Sequence, residues 1–487
     1  MEVTAQPTWE ASLTSHALNS LSRNNERLTD GSDAVLTTPF MEGVSDESIF
    51  DFIEEILSKV EITPKLREIE DDNRSKFGPR SIALPWDERK SSLYDYFAHP
   101  DSDTFPGVSA DSAGQASLRP VSVANATGYL IASSSSGLPY MQRKGKVLQD
   151  AIRDHAGQLG VFPCVLFTRT AEQRKTRNVW GYPISETIEE QRYFRPWLDV
   201  EKSLPWRKAL IGPDAVDEGV TLLLSGKRGD ELVYCVDFEA YDASLSPSLI
   251  AMSFNYISNA FQPGARAGLE DIRDRFLRIP IFTPDGELSG IHGVPSGSTF
   301  TNTIDSLAQA LVSGTTRCQI QGDDGVYVIQ SSSRDTFPRR FEYEGLKINR
   351  EKSEIFETQE AVYLQRYYHP SYRSESGGLG GVYSLFRAAN RIKYLEQWTD
   401  FEREGIRGDD FFALRTVMIL ENCKHHPGFV EFVRYAQKLD RNGLAFSQAG
   451  LKAYSKSLDS RARAGILHAP NFQSGITDFA VMKVGCM

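Results

Sequence analysis

Residues 318–329 read Cys-Gln-Ile-Gln-Gly-Asp-Asp-Gly-Val-Tyr-Val-Ile. Cys318 and Ile320 alternate into a turn, and the β-branched and aromatic run from Val326 to Ile329 leads out of it. The pattern predicts a tight hairpin with Asp323 and Asp324 at its tip, and Asp-Gly at 324–325 is a strong turn signal. Asp-Asp-Gly is also ordinary turn chemistry. Two carboxylates held side by side repel each other unless a cation lies between them. Upstream, Leu232-Val-Tyr-Cys-Val-Asp-Phe-Glu-Ala-Tyr-Asp242 is an apolar strand ending at Asp237, with Asp242 five residues later. Two such strands can place Asp237 beside Asp323. Oxygen ligands of this kind suit Mg²⁺ or Mn²⁺, not zinc, and a pair of these ions suits phosphoryl transfer.

The 487 residues give room for several subdomains and a large core, and 40% hydrophobic with 24% charged residues is an ordinary globular balance. No apolar run approaches the roughly 20 residues that span a bilayer, and residues 1–20 lack a basic start followed by an apolar core. Cys164, Cys235, Cys318, Cys423 and Cys486 are scattered, with no Cys-x-x-Cys. This points to a reducing compartment and away from zinc. His425-His426 reads as an isolated surface pair. The net charge of −11 argues against a uniformly basic nucleic-acid binder. However, residues 41–75 alone hold 11 acidic and 4 basic side chains. An enclosed basic channel inside a neutral or acidic exterior satisfies both facts, and such a channel would bind RNA.

Residues 45–60 read as an amphipathic helix with Ser45 as N-cap and Ile49, Phe52, Ile53, Ile56, Leu57 and Val60 on one face. Residues 99–137 are rich in Ser, Pro, Gly and Asp and read as loops. Strands are expected at 161–168, 219–224, 231–237, 318–321 and 326–329. Helices are expected at 145–156, 247–261, 300–313, 383–400, 409–422 and 428–438, which makes the C-terminal portion mostly helical.

Three further segments carry chemistry. Gly293-Val-Pro-Ser-Gly-Ser-Thr-Phe-Thr-Asn302 is a Gly/Ser-rich loop entering an apolar helix. There Gly297 permits close backbone approach, and hydroxyls and amides can bind sugar or phosphate; an ordinary capped helix reads the same way. Arg169, Arg174, Lys175 and Arg177 lie within nine residues, opposed only by Glu172. Such a run is usually a solvated face, but guanidinium groups also pair bidentately with phosphate. Residues 133–146 join the loop Ser136-Gly137 to Arg143, Lys144 and Lys146, which fits a nucleic-acid backbone or a flexible linker equally well.

In order and spacing, these segments resemble viral RNA-dependent RNA polymerases, most of all those of double-stranded RNA viruses of the partitivirus and picobirnavirus group. Asp237-Phe-Glu-Ala-Tyr-Asp242 is similar to motif A, Ser296 to Thr301 to motif B, and Gly322-Asp-Asp324 to motif C. Gly345 to Ser353 resembles motif D, Tyr363-Leu-Gln-Arg366 motif E, Lys175 to Gly181 motif F, and Ser136-Gly-Leu-Pro139 motif G.

The resemblance implies an α+β right-hand fold with an antiparallel palm sheet and a helical thumb. An N-terminal region and fingers would occupy 1–230 and 255–290, the palm 231–254 and 291–370, and the thumb with the C-terminal region 371–487. It implies RNA-directed RNA synthesis, primer-independent in this virus group, on a two-metal site of Mg²⁺ or Mn²⁺ held by Asp237, Asp323 and Asp324. Lys352 would be the general acid to pyrophosphate, with Lys347 its nearby competitor. Arg169, Lys175 and Arg177 would hold the triphosphate, and Asp242 would sense the ribose 2′-hydroxyl. Ser296, Thr301, Asn302 and Asp305 would line the nucleotide site. Ser136, Gly137, Arg143, Lys144, Gly297 and Arg366 would line the RNA path. Many positive-strand relatives have Asn where Asp305 stands, pairing with the motif A Asp. If Asp305 faces Asp242 here, the two carboxylates must share a proton or a cation. RNA template and product, rNTPs and viral capsid protein would be partners, with no membrane, in the virion interior and host cytoplasm. A reverse-transcriptase-like polymerase, a metal-dependent nuclease and a non-catalytic, capsid-associated RNA-binding protein are the alternatives. The apolar end of 470–487 raises the question of a channel plug.

Overall fold

The computed structural model describes residues 1–99, 117–170, 175–402, 405–463 and 476–484. Arg174, Glu172 and much of the 99–137 loop lie outside these residues. Thirteen strands are present among those described: β1 (Glu2–Thr4), β2 (Cys164–Thr170), β3 (Thr176–Gly181), β4 (Glu231–Val236), β5 (Phe238–Glu239), β6 (Ile281–Thr283), β7 (Gly286–Ser289), β8 (Cys318–Gln321), β9 (Asp324–Gln330), β10 (Lys347–Ile348), β11 (Glu354–Phe356), β12 (Ala361–Tyr363) and β13 (Arg366–Tyr368).

The sheet that carries the carboxylates has the order β11-β4-β9-β8, antiparallel throughout. Its strands read as continuous apolar runs because both faces are covered. Leu232, Tyr234, Tyr327 and Ile329 face one core, shared with the helices Pro247–Ser258 and Thr301–Ser313. Val233, Cys235, Val326 and Val328 face a second core. That second core is closed by residues 219–224 and their neighbours, which form a helix, Pro213–Ser225, and not the expected strand. Pro213 opens the helix, and Val216, Val220, Leu223 and Leu224 recur at helical spacing to cover the sheet. The local β-branched run favoured a strand, and tertiary burial of the helical stripe prevailed.

A five-stranded sheet, β1-β7-β6-β2-β3, forms the fingers side, with β2 parallel to β6. The helix Asp46–Lys59 is capped as expected, the Ser45 hydroxyl accepting from the Ser48 N–H at 3.1 Å. Its Ile49, Ile53 and Ile56 join the core of the helical C-terminal portion, beside Leu385, Leu414 and Phe432. The helix expected at 383–400 stops at Lys393, because Leu395 N–H is taken by the Leu36 carbonyl at 2.9 Å and Tyr394 bridges Thr37. The N-terminal region thus reaches both the fingers sheet, through β1, and the thumb helices.

His425-His426 is not a surface pair. His425 Nε2 lies 3.1 Å from Asp217 Oδ2, and buried His426 Nε2 lies 3.2 Å from Glu70 Oε1. Asp217 also accepts from Tyr368 OH at 2.9 Å, and Glu70 from Ser384 Oγ at 2.7 Å. His425 therefore ties the C-terminal helices to the Pro213–Ser225 helix, while His426 packs buried beside Glu70. Of the C-terminal segment, residues 476–484 pack in the thumb core through Phe479 and Val481; residues 470–475 and 485–487 lie outside the described residues.

Candidate active site

The register of β8 and β9 pairs Gln321 with Asp324, so the turn is Gly322-Asp323 and Asp324 already belongs to β9. The turn falls two residues before the Asp-Gly at 324–325, and so one residue before the expected tip at Asp323-Asp324, because Gly322 supplies the positive φ of +66°. Gly325 serves a different end. A Cβ there would sit 1.9 Å from Gln309 Oε1. Gln309 holds the turn from the Thr301–Ser313 helix: its Nε2 donates to the Gly322 carbonyl at 2.9 Å and its Oε1 accepts from Tyr327 OH at 2.6 Å. Ser306 Oγ accepts from Gly322 N–H at 2.8 Å.

Asp237 follows β4, and the pairing of Val236 with Gly325 sets it beside Asp324 across the ladder. Its N–H donates to Ser353 Oγ at 3.1 Å and its carbonyl accepts from Asn349 N–H at 2.9 Å. These bonds hook the 349–353 turn to β4 and bring Lys352 near enough to oppose the upward shift of the Asp237 pKa. Lys347 instead pairs across the β5–β10 ladder with Glu239. Burial raises Asp237, with Asp323 adding and Lys352 and Lys175 opposing. Asp324 is pushed up to about 7, by burial first and then by Asp323, while Leu364 N–H donates to its Oδ2 at 2.8 Å. Among the described residues, no hydrogen bond or ion pair engages the carboxylate oxygens of Asp237 or Asp323. Nor do three His, Cys, Asp or Glu side chains form a ready-made metal cage. Mg²⁺ ordinarily takes one or two carboxylates and completes its shell with water and phosphate oxygens, so this open, all-oxygen donor set fits it.

Cations face these carboxylates from the β2–β3 hairpin. Arg169 stands directly opposite Arg177, an arrangement that is unfavourable unless anions sit against it. Part of the relief comes from the thumb side, where Glu396 Oε2 lies 3.5 Å from Arg169 Nε and also pairs with Arg80. Burial, then Arg177 and Lys352, lower the pKa of Lys175, while Asp237 and Asp323 oppose that shift. Arg177 opposes the rise of Asp242 to about 7, a rise caused by burial and then by Asp323.

The 293–300 loop lies between the hairpin and the Thr301–Ser313 helix. Ser296 Oγ donates to the Asn178 carbonyl at 3.3 Å and accepts from Trp180 N–H at 3.4 Å. A Cβ on Gly297 would fall 1.6 Å from the Trp180 carbonyl oxygen. The close approach expected at Gly297 is therefore made to β3. Thr301 Oγ1 donates to the carbonyls of Pro295 (2.9 Å) and Ser298 (3.0 Å), closing the loop on itself. Asn302 Oδ1 accepts from Arg207 Nη2 at 2.8 Å. Asp305 is 4% exposed and its Oδ1 has no hydrogen-bond partner. Its pKa lies well above the ordinary carboxylate range, raised by burial and then by the charges of Asp242 and Asp323.

The expected RNA-path residues are more enclosed. Ser136 is buried, its hydroxyl accepting from Gln142 N–H at 3.2 Å, and a Cβ on Gly137 would meet the Tyr182 carbonyl at 2.5 Å. Arg143 Nη2 lies 3.6 Å from Asp400, a second link between fingers and thumb. Lys144 is lowered to about 8 by burial, with Glu190 as the opposing charge. Arg366 is buried and donates to Asn422 Oδ1 at 2.9 Å, at the palm–thumb junction.

Three residues that organise the site escaped the sequence reading: Gln309, Glu190 and Arg207. Arg207 is fully buried and ion-paired with Glu201 at 2.8 Å. It donates to Ser306 Oγ (2.6 Å), the Ile320 carbonyl (3.0 Å), Gln321 Oε1 (2.7 Å) and Asn302 Oδ1. The only available cue for Gln309 was its place four residues after Asp305 on one helix face; Arg207 and Glu190 had none.

Carboxylates at one end of an antiparallel palm sheet, faced by basic side chains of the fingers, define a right-hand template-directed polymerase. The chain belongs to the viral RNA-dependent RNA polymerase family, whose model matches residues 97–379. It is 29% identical, over 91% of its length and 89% of the relative's, to a potential RNA-dependent RNA polymerase of human picobirnavirus (strain Human/Thailand/Hy005102/-). It is 26% identical, over 40% of each chain, to an RNA-directed RNA polymerase of Cryptosporidium parvum virus 1 (strain KSU-1). The crystal structure of a human picobirnavirus RNA-dependent RNA polymerase superposes with a TM-score of 0.85 at 25% identity, covering 100% of this chain and 99% of that one.

Replacing Arg207 by Met leaves Glu201 charged, buried and unpaired. Chemical denaturation should show a loss of about 3–5 kcal/mol, and the double replacement Arg207→Met/Glu201→Leu should recover much of it.

Proposed function

We propose that this RNA-dependent RNA polymerase joins ribonucleotides through a two-metal site on Asp237 and Asp323, with Asp324 assisting. The observation that carries the reading is the meeting of these carboxylates with Lys175, Arg177 and Lys352 at one end of the palm sheet. When bound, Mg²⁺ or Mn²⁺ would supply charge to the attacking 3′-oxygen and the leaving pyrophosphate oxygen. Arg177, Lys175 and Arg169 grip the incoming triphosphate and neutralise charge that grows on the leaving group. Lys352 delivers the proton that pyrophosphate needs on departure. Asp242 accepts the ribose 2′-hydroxyl, which favours rNTPs over dNTPs. Template and product run through a channel closed where Arg169 and Arg143 meet Glu396 and Asp400. Initiation proceeds without a primer, and the enzyme works beside capsid protein in the virion interior and the host cytoplasm. No described helix is long and apolar enough to cross a membrane.

Asp323→Ala should lower templated rNTP incorporation with Mg²⁺ or Mn²⁺ by about 10³-fold, with the melting temperature kept; full activity in this variant refutes the metal assignment. Synthesis on a template with and without primer reads out the initiation mode. Asn is nearly isosteric with a neutral Asp. Asp305→Asn should therefore keep the rNTP-over-dNTP ratio within about threefold of the parent, under about 0.7 kcal/mol. A collapse of that ratio assigns ribose selection to the Asp305 carboxyl and not to Asp242 alone.

A further inference from the structure

Glu190 sits on the helix Ile184–Ser203 and is 3% exposed. Burial pushes its carboxyl up to about 7, and a carboxylate in such a place persists only where donors surround it. Two donors do, both from the loop before the Thr301–Ser313 helix. Ser298 Oγ donates to Glu190 Oε1 at 2.6 Å, and Thr299 N–H donates to Oε2 at 2.6 Å. The neighbouring buried carboxylate on the same helix, Glu186, is committed elsewhere, to Arg275 Nε at 2.8 Å and Gly160 N–H at 2.7 Å.

The loop held in this way joins the two halves of the site. On one side, Ser296 and Gly297 lock against Asn178 and Trp180 of β3, the strand that presents Arg177. On the other side, Phe300 N–H donates to the same Ser298 Oγ at 3.0 Å. The helix that begins there carries Ser306 and Gln309, which hold the Gly322-Asp323 turn. With Glu190 in place, the loop has little freedom to slide between strand and helix, since Gly297 already touches the Trp180 backbone.

We propose that Glu190 is a positioning residue for nucleotide addition. It touches neither substrate nor metal ligand; it clamps the 296–300 loop and so fixes the triphosphate-binding strand relative to the carboxylate-bearing helix. The proposal rests on the polymerase reading of the site. Misplacement of reacting groups by about 1 Å costs on the order of 10²-fold in rate, so the effect belongs in rNTP use and not in RNA affinity.

The test measures single-nucleotide incorporation on a defined RNA template, with RNA binding by fluorescence anisotropy and thermal melting in parallel. Glu190→Ala should lower kcat/KM for rNTP by at least about tenfold while RNA affinity stays within about twofold. Glu190→Gln keeps one acceptor oxygen and should fall between. Adding Ser298→Ala to Glu190→Ala should cost less than Ser298→Ala costs alone, because the two share the Ser298–Glu190 contact and only the Phe300 N–H bond to Ser298 is lost in addition. Glu186→Gln is the control: it should lower the melting temperature at least as much as Glu190→Gln yet leave kcat/KM near that of the parent. Parental kcat/KM in Glu190→Ala, or losses that follow the melting temperature equally in both Glu variants, overturns the proposal. If Glu190→Ala does not fold, Glu190→Gln and Ser298→Ala decide by the same comparison. Failure of the two-metal reading would show separately, as activity that survives Asp323→Ala.

Discussion

The site depends on one buried guanidinium. Arg207, paired with Glu201, donates at once to the helix that faces the catalytic turn and to the strand that leads into it. Burying this ion pair gains little stability in itself, since desolvation offsets most of the attraction. Its contribution is geometric. The planar fork of donors is satisfied only when Asn302, Ser306, Ile320 and Gln321 stand in one arrangement, and that arrangement fixes the Gly322-Asp323 turn at the end of the sheet where Asp237 lies beside Asp324. Thr303 Oγ1, donating to Glu201 Oε2 at 2.7 Å, fixes the counter-ion as well.

Around this centre the backbone segments approach more closely than side chains allow. Gly297 against Trp180, Gly325 against Gln309 and Gly137 against Tyr182 are contacts that a single Cβ would break. Glycine at 297 and 325 therefore serves packing, Gly137 combines close packing with a φ of +60°, and Gly322 serves the turn. The electrostatics follow from the same crowding. Asp237, Asp324, Asp242 and Asp305 are all raised by burial and by the nearby Asp323 carboxylate, and Arg169 opposes Arg177 across a ladder. Like charges are gathered on both sides of the site, an arrangement that perturbs the titration of its carboxylates and marks functional sites.

The fingers and thumb are joined by charge and by chain. Arg169 to Glu396 and Arg143 to Asp400 link them. The N-terminal region adds a strand to the fingers through β1 and a helix to the thumb core. Most of the acidic side chains of 41–75 stay exposed to solvent, but Glu54 pairs with Arg67 and Arg74, and buried Glu70 caps the Leu385–Lys393 helix.

From sequence alone, alternation and apolar runs determined the palm strands, and the order of acidic and basic motifs determined the family, the right-hand fold and the carboxylate pair. These features are local: a period of two, a turn residue and a charged residue at a strand end are written within a dozen positions. Tertiary structure decided what depends on partners distant in the chain. It turned 219–224 into a helix because a buried stripe outweighed β propensity. It set the turn at Gly322-Asp323, one residue before the expected tip, because Gly322 supplies the positive φ. It buried His425 and His426 against Asp217 and Glu70. It also gave Arg207, Glu190 and Gln309 their roles, which no spacing announces, since a lone polar residue acquires meaning only from the donors and acceptors that folding brings around it.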